Sequence, residues 1–244
     1  MNLIVDIGNS RAKIAIVDNG AIVEQNTILD ITEADINDIV TRHPQLAHAI
    51  VASTRGNGES IGALLRNYLP KVVVFTPATT PIPLDNLYHT PLTLGADRLA
   101  AAVGVAALYP ERDIMIVDFG TAITIDYVID GAFCGGNISP GVTTRFRALA
   151  DYTASLPLCS PTEEVLEYGR TTNEAIEQGV MRGIEQEISG YVGSFMLKNC
   201  KNCTIFTGGD AKYFVKRIKN TIFADCEPVI YGLNTILEYN AEKL

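Results

Sequence analysis

Two aspartates, Asp6 and Asp118, each close an apolar run and are followed two residues later by glycine and then by small polar residues. The first stretch reads Leu3-Ile4-Val5-Asp6-Ile7-Gly8-Asn9-Ser10, the second Met115-Ile116-Val117-Asp118-Phe119-Gly120-Thr121-Ala122. A strand that ends in a tight turn presents consecutive backbone N–H groups, which together cradle an anion such as phosphate. Gly8 and Gly120 supply permissive backbone angles and leave no side chain in the way. Asn9, Ser10 and Thr121 add side-chain donors. Lys13, on the strand after the first turn, adds a point charge able to reach a terminal phosphate. The aspartates cannot face a phosphate bare, because like charges at close range are costly. They imply a cation between, Mg²⁺ or a monovalent ion, or a proton-accepting role. One such turn carries little information, since strands commonly end at glycine with a nearby Asp as cap. Two copies at equivalent places in two similar halves of a 244-residue chain point to duplication. Facing each other across a cleft, they would hold a nucleotide's phosphates from both sides.

Other nucleotide motifs are missing. There is no GxxxxGK[ST], and Gly56-Asn57-Gly58 lacks the continuation of a dinucleotide loop. Thr207-Gly208-Gly209-Asp210 follows an apolar run, and two readings stand: a glycine approach to adenosine, or an ordinary strand-to-helix turn capped by Asp210. Asp97 precedes an alanine-rich run from Leu99 to Leu108, so it is either a helix N-terminal residue or a carboxylate free to accept a hydroxyl proton. Arg98 has the planar fork that suits a substrate carboxylate, or is a surface arginine. Arg145 and Arg147 are further cations near a Gly136–Gly141 turn. Of the three histidines, His43 and His48 read as structural or exposed, and His89 adjoins Tyr88 in a loop. Cys200 and Cys203 have CxxC spacing, but zinc needs two more ligands and none is near, so plain structural thiols are expected.

The elements that must position these residues alternate along the chain. Strands are expected at 2–6, 12–17 and 22–29, a helix at 31–43 with Thr32 as N-cap and Asp35 three residues on, a strand at 48–53, a helix at 59–68 and a strand at 71–76. The proline-rich stretch 77–91 cannot be a regular helix and is expected as a surface excursion. After the helix 99–108 the pattern restarts, with strands at 114–118, 123–129 and 132–138, a long helix at 173–198, a strand at 204–207, a helix at 210–219, a strand at 221–224 and a last helix at 229–239. The expected organisation is α/β used twice, in domains 1–112 and 113–244. The hydrophobic fraction of 47% and the length suffice for a core without disulfides. A net charge of −9 with no basic run argues against a nucleic-acid partner. No apolar run approaches a membrane span, and the N-terminus lacks the flank of a signal peptide, so a cytoplasmic protein with reduced thiols is expected.

Asp6-Ile-Gly-Asn-Ser, Gly95-Ala-Asp97-Arg98, Asp118-Phe-Gly-Thr-Ala, Gly136-Asn-Ile-Ser-Pro-Gly141 and Gly169-Arg-Thr-Thr172, in this order, resemble the motifs of the type III pantothenate kinases. That family lies in the superfamily of actin, hexokinase and acetate kinase. The resemblance implies two ribonuclease-H-like (actin-like ATPase) domains with an inter-domain nucleotide cleft. It implies ATP-dependent phosphorylation of pantothenate to 4′-phosphopantothenate, the first step toward coenzyme A. It further implies that Asp6, Ile7, Gly8, Asn9, Ser10, Arg11, Ala12, Lys13 and Thr121 bind ATP, with Mg²⁺ accompanying the nucleotide. Asp118 would coordinate a monovalent cation, K⁺ or NH₄⁺. Tyr88, Gly95, Ala96, Asp97 and Arg98 would bind pantothenate, with Asp97 as general base and Thr172 contributed across a homodimer interface by helices of the C-terminal half. The alternatives are another small-molecule kinase or a polyphosphatase of the same fold, or a nucleotide-binding relative without turnover. Tyr88 and the Gly95–Arg98 cluster are the features that discriminate among them.

Overall fold

The computed structural model describes residues 1–198, 201–219, 221–223 and 227–241. These residues form two compact units. The first comprises Met1–Glu111, Gly131–Cys134 and the C-terminal helix; the second comprises Arg112–Asp130 and the chain from Gly135 through Phe223. The chain leaves the first unit after Glu111, and the last helix returns to it.

In the first unit, β1 (Asn2–Ile7), β2 (Ala12–Asp18) and β3 (Ala21–Ile28) form an antiparallel meander, and β4 (His48–Ser53) and β5 (Lys71–Val74) add in parallel, in the order β3-β2-β1-β4-β5. Successive side chains on a strand alternate between faces. Leu3, Val5 and Ile7 of β1 therefore share one face with Ile14 and Ile16 of β2, and they pack on Ile36 and Ile39 of α1 (Glu33–Arg42) and Leu65 of α2 (Gly58–Leu65). The other face carries Ile4, Asp6 and Lys13, with Asp6 directly opposite Lys13 in the ladder. Thr32 caps α1 as expected, receiving Asp35 N–H at 3.3 Å while the Asp35 carboxylate accepts from Thr32 N–H at 2.8 Å.

Helix α3 (Ala96–Leu108) begins three residues earlier than expected and lies against α6 (Pro228–Ala241), which also packs on β1 and β4. The two helices touch backbone to backbone: a Cβ on Gly104 would lie 2.2 Å from the Pro228 carbonyl oxygen, and one on Gly232 would lie 1.7 Å from that of Ala100. Alanine favours a helix over glycine by about 1 kcal/mol, but a methyl at this distance forces the helices apart. Gly232→Ala is accordingly expected to destabilise, by roughly 1–3 kcal/mol, and to lower the thermal midpoint in a circular-dichroism melt; an unchanged midpoint would mean the helices separate freely.

The second unit repeats the plan. Strands β7 (Ile114–Phe119), β8 (Ala122–Ile129), β9 (Ala132–Pro140), β10 (Cys203–Thr207) and β11 (Ile222–Phe223) run in the order β11-β10-β7-β8-β9. The short β6 (Asp85–Asn86), inside the proline-rich excursion, pairs with Ala132 and Phe133 at the start of β9, residues that belong to the first unit. Each meander closes a two-residue turn with positive φ at both positions, Asn19-Gly20 (48° and 78°) and Asp130-Gly131 (50° and 74°). Met115, Val117 and Phe119 pack on Phe146 of α4 (Val142–Tyr152) and on Ile176, Met181, Ile184 and Ile188 of α5 (Thr172–Met196). Phe119 stacks on Phe214 and meets the edge of Phe206, both with centroids 5.0 Å apart.

Two expectations change here. Residues 210–219 form a short 3₁₀ turn, Ala211–Tyr213, and further turns rather than a helix. Ala211, Phe214 and Ile218 are buried at helical spacing, but the backbone meets that burial with tight turns, Phe214 N–H bonding the Ala211 carbonyl and Arg217 N–H the Phe214 carbonyl, both at 2.9 Å. Helix α4, unanticipated, buries Val142 and Phe146 at the i, i+4 spacing of a helical face. The loop after it is tied to α5 by Gln178, whose amide accepts from Leu166 N–H and donates to Glu164 C=O, both at 3.0 Å. Cys200 and residue 224 lie outside the described residues.

Candidate active site

Within the first unit, the turn after β1 is clamped from β4. The Ile7 carbonyl accepts from the N–H and hydroxyl of Thr54 at 2.9 and 3.2 Å, and the Gly8 carbonyl accepts from Arg55 Nε at 2.7 Å. Asn9, Ser10 and Arg11 are exposed and Ala12 is buried. Lys13 Nζ sits 2.6 Å from Glu227 Oε2, at the foot of α6, with side chains 38% and 33% exposed. A pair this exposed is worth about 0–1 kcal/mol, so Lys13 can exchange its carboxylate for a phosphate at little cost.

The same unit gathers most of the expected substrate residues. Arg98 Cζ lies 5.7 Å from the centroid of the Tyr88 ring, which is 6.1 Å from the ring of Phe133. Arg98 is only 7% exposed, so it is not a surface arginine. Gly95 takes the N-cap position of α3, Ala96 is buried, and Asp97 stands in the first turn, where the helix dipole favours a carboxylate. Asp97 Oδ1 accepts from Arg98 N–H at 2.8 Å, and a Cβ on Gly95 would come within 2.5 Å of that oxygen. Glycine at 95 therefore makes room for the carboxylate. His43 is bound to Glu24 at 2.8 Å, and burial pulls the His48 imidazole below its ordinary range, helped by the Lys71 charge. Neither touches Asp97 or Tyr88; His89 is exposed.

In the second unit, Gly120 N–H bonds the Ala122 carbonyl at 3.1 Å to close the turn after β7. The Thr121 carbonyl accepts from Gly141 N–H at 3.0 Å and from the Thr144 hydroxyl at 2.7 Å. A Cβ on Gly141 would stand 2.1 Å from the Gly120 carbonyl oxygen, so the Gly136–Gly141 stretch is a close support for the turn. Thr207 is the ladder partner of Asp118, and Gly208, at φ 93°, passes so near that a Cβ would lie 2.3 Å from Asp118 Oδ1. Asp210 N–H bonds the Phe119 carbonyl at 3.2 Å, and burial pushes the Asp210 carboxyl above its usual range against the pull of Lys212. The Thr207–Asp210 stretch is thus part of the Asp118 turn's surroundings, a placement the sequence left open. Arg145 is spent on the Pro140 carbonyl at 2.8 Å and on Glu187. Thr172 is exposed at the first position of α5, after a capping box of Thr171 with Glu174.

Sequence reasoning passed over Arg55, Glu227 and the role of Gly208. Only Gly208 left a trace there, as a glycine of the Thr207–Asp210 stretch whose role the sequence left open.

Residues 2–194 match the family model described as type III pantothenate kinase. A relative from Phocaeicola vulgatus named type III pantothenate kinase is 45% identical over 246 residues, covering 98% of this chain and 99% of its own. One of the same name from Bacteroides fragilis is 42% identical over 249 residues, covering 100% of both. Among solved structures, a candidate Baf family transcriptional activator from Campylobacter jejuni superposes with a TM-score of 0.64 at 21% identity, covering 98% of this chain and 99% of that one. A candidate 2-dehydro-3-deoxygalactonokinase from Sinorhizobium meliloti does so at 0.61 and 13%, with coverage of 98% and 99%. The two structural likenesses show the fold, the two-domain α/β architecture found in sugar kinases. The sequence matches go further and agree with the order of its motifs: this chain belongs to the type III pantothenate kinase family.

Proposed function

We propose that the chain transfers the γ-phosphoryl group of ATP to pantothenate, giving 4′-phosphopantothenate and ADP at the first step of coenzyme A synthesis. The observation that carries this reading is the Tyr88–Arg98–Asp97 cluster, an aromatic wall, a buried guanidinium and a carboxylate at a helix N-terminus, within a chain of this family. Asp97 accepts the proton of the attacking hydroxyl as its oxygen bonds to phosphorus and the bond to ADP breaks. Tyr88, Gly95, Ala96 and Arg98 orient pantothenate. The Asp6–Lys13 segment and Thr121 bind the phosphates of ATP, through backbone N–H groups and the Lys13 ammonium.

Among the described residues no group of three or more His, Cys, Asp or Glu could hold a metal. That suits a Mg²⁺ ion carried largely by nucleotide phosphates, which needs only one or two protein carboxylates. The carboxylate of Asp118, beside Gly208, is the oxygen donor for a monovalent cation, K⁺ or NH₄⁺, in this reading. When bound, the cations offset charge on the phosphates.

A homodimer fits α5. Gly179, Gly183, Gly190 and Gly193 are exposed, with nothing within 4 Å of an added Cβ. Each costs about 1 kcal/mol against alanine in a helix, a cost that close approach of a second copy's helix offsets, with Thr172 entering the partner's pantothenate pocket. No helix of the described residues is long and apolar enough to cross a membrane. Free thiols at Cys134, Cys159 and Cys203 suit the cytoplasm, and the net charge of −9 does not suit nucleic acid.

The test is ADP release from the purified protein with ATP and Mg²⁺, with and without pantothenate, in potassium and in sodium buffer. Turnover that requires both pantothenate and potassium is expected. Silence with pantothenate in both buffers would overturn the substrate and send the search to other hydroxyl acceptors.

A further inference from the structure

We propose that Arg55 is a positioning residue for ATP: it turns the backbone of the first phosphate turn so that its N–H groups face the nucleotide. The proposal rests on the reading of that turn as an ATP site. Arg55 follows β4 and its side chain is 23% exposed, too sheltered for a freely moving surface cation. Its nitrogens join separate segments. Nε donates to the Gly8 carbonyl at 2.7 Å, Nη1 and Nη2 both reach the Leu29 carbonyl at 3.3 Å, and Nη1 is bound to the Asp30 carboxylate. The guanidinium is thereby committed to the protein's own oxygens and acts on a phosphate through the turn, not by touching it.

The consequence for the turn follows from peptide planarity. In a trans peptide the C=O and the following N–H point in opposite directions. Thr54 holds the Ile7 carbonyl and Arg55 holds the Gly8 carbonyl, both from the β4 side. The N–H groups of Gly8 and Asn9 must therefore both point away from β4. In a regular strand successive N–H groups alternate in direction, so a pair turned to one side is a departure that needs an external anchor, and the concavity it makes takes an anion. Thr54 supplies one anchor and Arg55 the other, with the Asp30 carboxylate and the Leu29 carbonyl fixing the plane of the guanidinium. A lysine could supply charge but not a planar fork reaching two carbonyls and a carboxylate.

Three variants test this: Arg55→Gln, Arg55→Lys and Asp30→Asn. Kinetics give KM for ATP and for pantothenate separately, calorimetry gives the affinity for Mg-ATP without pantothenate, and a thermal melt monitors folding. Arg55→Gln is expected to weaken ATP about tenfold, the order of one charge-assisted hydrogen bond, in KM and in direct binding alike. The KM for pantothenate should stay within about twofold. Arg55→Lys should recover only part of the loss, and Asp30→Asn should shift ATP in the same direction by less. If Arg55→Gln does not fold, Asp30→Asn and Arg55→Lys carry the test. Unchanged ATP affinity in the variants, a pantothenate KM that rises in step with that for ATP, or full recovery by lysine would overturn the proposal. Because Mg-ATP binding is read without pantothenate, a wild-type protein that binds ATP but ignores pantothenate would sink the substrate assignment and leave the Arg55 comparison intact.

Discussion

Asp97→Asn is expected to lower turnover about 10²–10⁴-fold while leaving ATP affinity largely intact. The substitution is nearly isosteric, and an asparagine oxygen can still accept the Arg98 N–H that Asp97 Oδ1 now receives at 2.8 Å. The gap left by Gly95, where a Cβ would lie 2.5 Å from Oδ1, fits the amide equally well. What disappears is the capacity to take a proton from the attacking hydroxyl. Steady-state kcat, with calorimetric Mg-ATP affinity and a melt as controls, checks the expectation. A variant with near-normal turnover would remove Asp97 from the chemistry and leave it as a helix-terminal residue.

Gly208→Ala is expected to be severe for a different reason. The backbone there is at φ 93°, a conformation costly for any residue with a Cβ, and the added carbon would meet Asp118 Oδ1 at 2.3 Å and the Phe119 nitrogen at 2.6 Å. Strain of about 1–3 kcal/mol and overpacking of about 1–3 kcal/mol act on one residue. Because the atom struck first belongs to Asp118, the potassium requirement proposed for that residue should, where it holds, degrade beyond what the loss of stability explains. The neighbouring Gly209 has nothing within 4 Å of an added Cβ, and Gly209→Ala should stay near wild type. Melts and potassium titrations of the two variants make the comparison; equal behaviour would mean that Asp118 tolerates displacement.

The parts of this fold that were legible in the sequence are those written in local periodicity. The run Leu3–Ile7 and its counterpart Ile114–Phe119 announce buried central strands, and the Asp-x-Gly after each marks the turn. Asn19-Gly20 and Asp130-Gly131 were equally readable as paired hairpin turns and would have strengthened the case for duplication. The start of α3 was misplaced because Gly95 is an N-cap with no side-chain hydrogen bond, leaving no Ser, Thr or Asp at that position to announce it. The helix expected at 210–219 failed because burial of Ala211, Phe214 and Ile218 can be met by successive turns as well as by a helix. Arg55 on Gly8, 47 residues away, and Gly208 on Asp118 are contacts between distant segments, and no local pattern encodes them. The membership of Tyr88 and Arg98 in one cluster is likewise tertiary; the sequence supplied the residues and family likeness supplied the grouping.

The return of α6 to the first unit has a consequence for synthesis. A ribosome finishes Met1–Glu111 well before the helix Pro228–Ala241 that packs on α3 and β1. At about 5–20 residues per second the interval is on the order of ten seconds, during which the apolar flank of α3 around Ala100 and Gly104 has no native cover. The native packing of the N-terminal half thus cannot be completed until the last helix emerges, so the speed of translation sets the earliest moment at which its core can close.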